Sequence, residues 1–412
     1  MKIETLREEN KLINLFCELA QIPSPSLKEE KVARRIVEFL EQNGVPCSCD
    51  LFGNVIAKVK ATDSAKQPLL LSAHMDVVGD DSPVNIGLSS SFIETDKRRT
   101  LGADDKAGVA AAMLLAVELQ NNEKLNHGGL ELVFTKDEEH SMSGIKNLDM
   151  SKLESEYILV LDADKLGQVL VSGASFTKLT IDAEAFIGGH SGIDIADEKR
   201  LNAIKLIAEL ISDIPQGVYK KDDFGVVASI NAGAILGGGV SSSLSKLKEN
   251  KVPPDDLLHF VLDNSMTNII NTRAGVVYSL RSSDKQVERE LIGKIAEKIS
   301  LFNKKYEGLA KASLKEEEHL PAFEKSEDET IVGLAIKAAQ KVGIKADISS
   351  FHAGAETHIY ANNTNKSGKA FKPCLIGLAD VYNMHSSDEK IDYKSYIKGY
   401  EFLKMFFEEF NA

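Results

Sequence analysis

Four clusters of acids and histidines each stand directly after a short apolar run. They are His74-Met75-Asp76 after Leu69–Ser72, Asp137-Glu138-Glu139 after Leu130–Thr135, Asp162-Ala163-Asp164 after Ile158–Leu161, and His385 in the loop after Cys374–Leu378. A fifth, Asp104-Asp105, opens an Ala-rich helical stretch. Two histidines with several carboxylates match the ligand preferences of Zn²⁺, Mn²⁺ or Co²⁺. Two His and three carboxylates can hold two such ions if one carboxylate bridges them. Taken singly, each cluster has an ordinary explanation. Asp104 or Asp105 serves as a helix N-cap, Asp137-Glu138-Glu139 as a solvated turn, and His74 as a satisfied histidine at a strand end. What points to a site is that the clusters recur at one position relative to their strands. Rival chemistries lack their motifs: there is no G-x-S-x-G elbow, H-E-x-x-H, Walker loop or G-x-G-x-x-G after a strand. Gly237-Gly238-Gly239 runs into Val240-Ser241-Ser242-Ser243 without a Lys-Ser/Thr and reads as a turn.

The elements that position these residues follow from periodicity. Helices are expected over Thr5–Leu19, Lys28–Asn43 and about Lys106–Gln120, with β-like runs at Asn54–Val59, Pro68–Ser72, Leu130–Thr135 and Ile158–Leu161. Strands alternating with helices predict an α/β fold: a mostly parallel sheet with helices on both faces. In such a sheet ligands bind outside the carboxyl ends of the strands, which would gather the clusters at one edge. After about Ser175 the texture changes to β (Phe176–Phe186), helix (Asn202–Ser212), β (Val226–Leu236 and Ala274–Leu280) and helix (Lys285–Asn303). From about Glu324 the βα texture returns, with helix Glu327–Val342, strand Cys374–Leu378 and a helix from about Tyr393. The expected organisation is an α/β domain over 1–175 and 323–412, interrupted by an inserted α+β domain over 176–322.

Composition narrows the partners. The chain has 412 residues with 49 Lys+Arg against 62 Asp+Glu, a formal net charge of −13. That balance argues against nucleic acid or an anionic membrane as the main partner and leaves small polar ligands and metals. Residues 1–9 mix acids and bases with no apolar stretch behind them, and Ala107–Val117 is too short to span a bilayer. Four scattered cysteines (Cys17, Cys47, Cys49 and Cys374), with no C-x-x-C, suggest a reduced, cytoplasmic setting.

Six motifs in order give the pattern a family resemblance. They are Ser72-Ala73-His74-Met75-Asp76-Val77, Leu101-Gly102-Ala103-Asp104-Asp105-Lys106-Ala107-Gly108, Phe134-Thr135-Lys136-Asp137-Glu138-Glu139, Leu161-Asp162, Gly188-Gly189-His190-Ser191-Gly192 and Met384-His385-Ser386. The whole chain resembles the co-catalytic di-zinc exopeptidases and deacylases, a group that includes peptidase T, glutamate carboxypeptidase, the succinyl-diaminopimelate desuccinylases and the Xaa-His dipeptidases. The resemblance implies two divalent ions, Zn²⁺ or alternatively Mn²⁺ or Co²⁺. Asp104 would bridge them, His74 and Asp162 would complete one site, and Glu139 and His385 the other. Asp164 and Asp105 are neighbouring alternatives for Asp162 and Asp104. By the same resemblance Asp76 orients the His74 ring and Glu138 is the general base. His190, on an inserted lid that also dimerises, reaches the oxyanion from the neighbouring subunit. Asn268 and Arg281 match the lid's substrate-binding Asn and Arg, the latter suited to a peptide's terminal carboxylate. Without the resemblance His190 is a loop histidine beside two glycines and Arg281 a surface ion-pairing residue.

Two features divide the subgroup. The Leu101–Gly108 motif and the length look like peptidase T, whereas His352-Ala353-Gly354-Ala355-Glu356 and His190-Ser191-Gly192-Ile193-Asp194 look like the Xaa-His dipeptidases. Glu356 is expected to receive a free α-amine, with His352 beside it in the substrate-binding set. The resulting expectation is a metallo-aminopeptidase of tripeptides or dipeptides. An N-acyl-amino-acid deacylase or carboxypeptidase with the same metals is the alternative, and a metal-binding protein without catalysis is a more distant one.

Overall fold

The computed structural model describes residues 2–122, 124–249 and 252–412. It divides into two compact units, residues 1–173 with 323–412, and residues 174–322.

Four parallel strands form the centre of the first unit's eight-stranded sheet: β1 (Leu69–His74), β2 (Leu130–Thr135), β3 (Tyr157–Ala163) and β4 (Lys372–Gly377), in the spatial order β2-β1-β3-β4. β1 and β2 are buried at every position, which explains why they read as unbroken apolar runs: helices cover both faces of a parallel sheet. Flanking strands Cys47–Cys49 and Val55–Val59 extend one side antiparallel. On the other side Gln168–Gly173 runs antiparallel to β4, and Asp347–Phe351 runs parallel to Gln168–Gly173.

The longer helices of this unit are α1 (Lys11–Gln21), α2 (Glu30–Gln42), α3 (Ala103–Gln120), α4 (Thr330–Val342) and α5 (Tyr393–Phe410), with short helices at Ile3–Glu9, Ser143–Lys146 and Thr357–Ala361. The single helix expected over Thr5–Leu19 is broken at Asn10, whose side chain accepts the Ile13 N–H at 3.1 Å and caps α1. α3 is buried almost all round, and its alanines let it lie close to β1. A larger side chain there would overpack by about 1–3 kcal/mol. Asp104 and Asp105 have non-helical φ/ψ, so regular helix starts at Lys106, as its sequence predicts. Among the described residues, no helix is long and apolar enough to cross a membrane.

The second unit is a five-stranded antiparallel sheet in the order Gly217–Asp222, Gly225–Gly237, Arg273–Ser282, Phe176–Ala185, Ala310–Leu320. Helices Ala203–Ser212 and Lys285–Lys305 pack on it around Leu179, Ile207, Tyr278 and Leu291. The Glu316–Glu318 charge run belongs to an edge strand paired with Thr177–Leu179.

Candidate metal centre

Register fixes the site. His74 pairs with Thr135, so the His74–Asp76 loop and the Asp137–Glu139 loop leave the sheet side by side. β3 lies on the other flank of β1 and delivers Asp162 to the same edge. The turn before α3 brings Asp104, and the loop after β4 brings His385.

Asp104 lies between two histidines. Its Oδ1 is 3.0 Å from His74 Nε2, and its Oδ2 is 3.0 Å from His385 Nε2. Asp162 Oδ1 is 3.5 Å from the same His74 nitrogen, and Glu139 Oε2 is 3.2 Å from His385 Nε2. Two His-carboxylate groups thus share one carboxylate, each through a different oxygen. Ligand atoms of His74, Asp104 and Glu139 all lie within 4.8 Å of one another. Nitrogen and oxygen donors converging in this way are of the kind that hold divalent metal ions. The neighbouring alternatives are placed differently. Asp105 turns into the helix and accepts the Gly108 N–H at 3.0 Å, whereas Asp164 lines the same small cavity as Asp104 and Asp162.

His74 Nδ1 lies 3.0 Å from the Asp76 main-chain oxygen, which leaves Nε2 as the inward-facing atom. The Asp76 carboxylate is farther off, at 3.5 Å. It accepts instead from the N–H groups of Glu138 at 2.9 Å and Glu139 at 3.2 Å, and from the Ser26 hydroxyl at 2.7 Å. The carbonyl holds the ring most closely, while the carboxylate, still within reach of the ring, also ties the β1 loop to the β2 loop. Residues 22–29 frame the same loops. The Ile22 carbonyl accepts from Lys106, Ser24 bonds to Met75 and Val77, and Glu29 accepts the Asp137 N–H. Asp137 and His385 both hold left-handed backbone, with φ of 57° and 60°, a strained state for non-glycine residues that such loops sustain only when firmly anchored.

The electrostatics follow from crowding acids in a closed space. Burial raises Glu138 well above the usual carboxylate range, and Asp162, Glu356 and Glu139 add to that against the pull of His74. Burial and Asp104 bring Glu139 up to about 7 and Asp162 to about 8. Asp104 goes the other way despite its burial, because hydrogen bonds from His385 and His74 hold it ionised. The hydrogen bond to Asp104 raises His385 to about 9 against its burial. Burial pulls His74 down, but its bonds to Asp104 and Asp162 outweigh that and hold it well above its ordinary value. Two dications would relieve this excess of negative charge.

The remaining sequence candidates are not all gathered here. Glu356 is 1% exposed, and its Oε2 accepts from Ser72 on β1 at 2.9 Å, with Tyr360 bonded to the same hydroxyl. It lies at the start of a short helix, close enough to the site that its charge adds to the raising of Glu138. His352 is half-buried in the loop after Asp347–Phe351. In the second unit, His190 and Asn268 are neighbours, because Gly189-His190 pairs with Ile269-Ile270 and the Ser191 N–H donates to the Asn268 carbonyl. His190 is exposed, and its Nδ1 accepts from Gly192 and Ile193 N–H, which assigns the proton to Nε2. Arg281 lies over the Phe176 ring at 4.9 Å. Sequence reasoning missed Ser26, Glu29 and Glu389, which lie in polar stretches indistinguishable from solvated loops.

Comparisons with known proteins agree with this geometry. Among curated proteins, the chain is similar to the uncharacterized protein YqjE of Bacillus subtilis (strain 168), 24% identical over 412 residues that span 97% of this chain and 98% of that one. It is also similar to peptidase T of Listeria innocua, 25% identical over 258 residues, 51% of this chain and 61% of that protein. Among solved structures, aminopeptidase PepT from Bacillus cereus superposes with a TM-score of 0.81 at 22% identity, covering 98% of this chain and 99% of that one, a likeness of fold. The family model described as peptidase family M20/M25/M40 matches residues 70–409. A match of that span takes in every strand end that carries an acid or histidine of the site, and the chain belongs to peptidase family M20/M25/M40: it is a peptidase.

Proposed function

We propose that the chain is a two-metal aminopeptidase that releases the N-terminal residue from tripeptides and dipeptides. The observation that supports this most is Asp104, whose two oxygens each face a different histidine at 3.0 Å. His74, Asp162 and Asp104 would hold one ion, and His385, Glu139 and Asp104 the other, with Zn²⁺ proposed and Mn²⁺ or Co²⁺ as alternatives. Bound there, such ions polarise a peptide carbonyl and bring the pKa of water to about 7.

Glu138 is the proposed general base. Its main chain is fixed by Asp76, and its ionised carboxylate would take a proton from the attacking water and return it to the departing amine nitrogen. His190 would donate its Nε2 hydrogen to the oxyanion from a neighbouring copy in a homodimer formed through the second unit. Arg281 and Asn268 would bind the peptide's carboxylate and main chain. A cytoplasmic location is proposed from the reduced cysteines.

A second reading, an N-acyl-amino-acid deacylase or carboxypeptidase, gains from the bond between Glu356 and Ser72, which occupies one oxygen of the expected partner of a free α-amine. A mixed peptide library, half of it N-acetylated, incubated with the protein and Zn²⁺, Mn²⁺ or Co²⁺, separates the two by mass spectrometry. Loss of the N-terminal residue from free tripeptides and dipeptides only is the expected result. Release from acylated peptides or from the C-terminus would overturn the aminopeptidase reading.

A further inference from the structure

Beside the metal centre lies a buried carboxylate that is neither a ligand nor the base. Glu389 is 1% exposed and follows His385 by four residues, and its hydrogen bonds go to the turn that carries Asp104. Oε2 accepts the Gly102 N–H at 2.7 Å and the Thr100 hydroxyl. Oε1 accepts the N–H of Asp104 itself at 3.2 Å. The turn has little freedom to shift. Gly102 holds φ of 74°, and a Cβ there would meet Val77 Cγ1 at 2.7 Å. Just past Glu389, Lys390–Asp392 pairs with Phe92–Glu94, so the two segments are also joined by a strand ladder.

We infer that Glu389 is a positioning residue for the metal centre, one buried carboxylate that seats the main chain of Asp104 and sets it against the loop bearing His385. The reason is geometric. Asp104 must offer one oxygen to each histidine, and a small rotation of its backbone would satisfy one side at the expense of the other. Such sites tolerate errors of only about 0.5 Å. Glu389 is the group through which the 100–104 turn and the 385–389 loop, far apart in sequence, keep a common origin.

The inference rests on the two-ion reading, and its test keeps the two apart. Wild type, Glu389→Gln, Thr100→Val and Glu131→Gln are stripped with a chelator and titrated calorimetrically with Zn²⁺ and with Co²⁺. Glu131 is the control, a buried carboxylate that likewise accepts from main-chain N–H groups, those of Glu154 and Ser155, and from the Ser155 hydroxyl. Gln at 389 keeps one acceptor oxygen and turns an NH₂ toward donors, so one side of the clamp fails whichever way the amide sits. Wild type should take up two ions, and Glu389→Gln should bind about 10–100-fold more weakly while Glu131→Gln keeps wild-type affinity. Equal binding by wild type and Glu389→Gln, or an equal loss in Glu131→Gln, overturns the inference. No uptake by wild type overturns the two-ion reading itself. If Glu389→Gln does not fold, Thr100→Val decides. Its single lost hydrogen bond should weaken binding by about 2–10-fold, and unchanged affinity rejects the role.

Discussion

Asp76→Asn probes the carboxylate that joins the β1 and β2 loops. Asp76 accepts three hydrogen bonds there, from the Glu138 and Glu139 N–H groups and the Ser26 hydroxyl. Asn has the same shape but one acceptor oxygen, and its NH₂ must face either Glu138 or the Glu139–Ser26 pair. One or two hydrogen bonds to a charged acceptor are lost, each worth about 1.5–3 kcal/mol. Chemical denaturation of the metal-free protein should therefore show a loss of about 2–5 kcal/mol. Metal affinity should fall separately, by about 10–100-fold, because the Glu139 and His74 ligands lose their common anchor. Competition against a chromophoric chelator reads that affinity directly. Ser26→Ala removes one of the three bonds and should cost about 1.5–3 kcal/mol, with affinity near wild type. An Asp76→Asn protein that binds metal as tightly as wild type would refute the reasoning, since the carboxylate would then be only structural.

Three further outcomes are expected. Glu138→Gln should still bind two metals yet lose turnover by about 100-fold or more; near-normal kcat would remove Glu138 from the role of base. His190→Ala should keep full metal content while kcat falls by about 100–1,000-fold, and an unchanged kcat would exclude it as the oxyanion donor. In the metal-free protein Glu139, Asp162 and His385 are all raised in the folded state, to about 7, 8 and 9. Each group therefore contributes stability that is fully present below its unfolded pKa and is lost as pH rises through the folded value. The melting temperature of metal-free protein should accordingly fall as pH rises from about 4 to 9, and metal binding near pH 8 should release protons. A melting temperature flat across that range would contradict the crowded-acid account.

The central strands were legible because burial on both faces leaves a run such as Leu69-Leu70-Leu71 with nothing polar in it until the site begins. The clusters holding His74, Glu139, Asp162 and His385 stood out by their place after those runs and Asp104 by opening the Ala-rich helix, while the choice of these five came from the family resemblance; the structure brings them within hydrogen-bond reach of one another. Less could be read where pairing, not pattern, makes the element. Ala310–Leu320 carries Glu316-Glu317-Glu318 and is a strand because Phe176–Ala185 lies beside it. Asn10 interrupts an amphipathic pattern through a single cap. Glu356 sits in a motif that suggested a ligand-facing loop, and only the structure shows its bond to Ser72. Glu389 follows Ser386-Ser387-Asp388, a solvated loop by any local criterion. Its burial depends on a turn 285 residues earlier.

That separation has a consequence for biosynthesis. Four of the five side chains proposed to hold metal emerge from the ribosome by residue 162, whereas His385 is 281 residues beyond Asp104. A nascent chain could offer a single-ion half-site of His74, Asp104 and Asp162 long before the bridged pair can exist. Completion awaits the 385–389 loop, so the second ion of the proposed pair would be captured only after that loop has been translated and β4 has closed against β3.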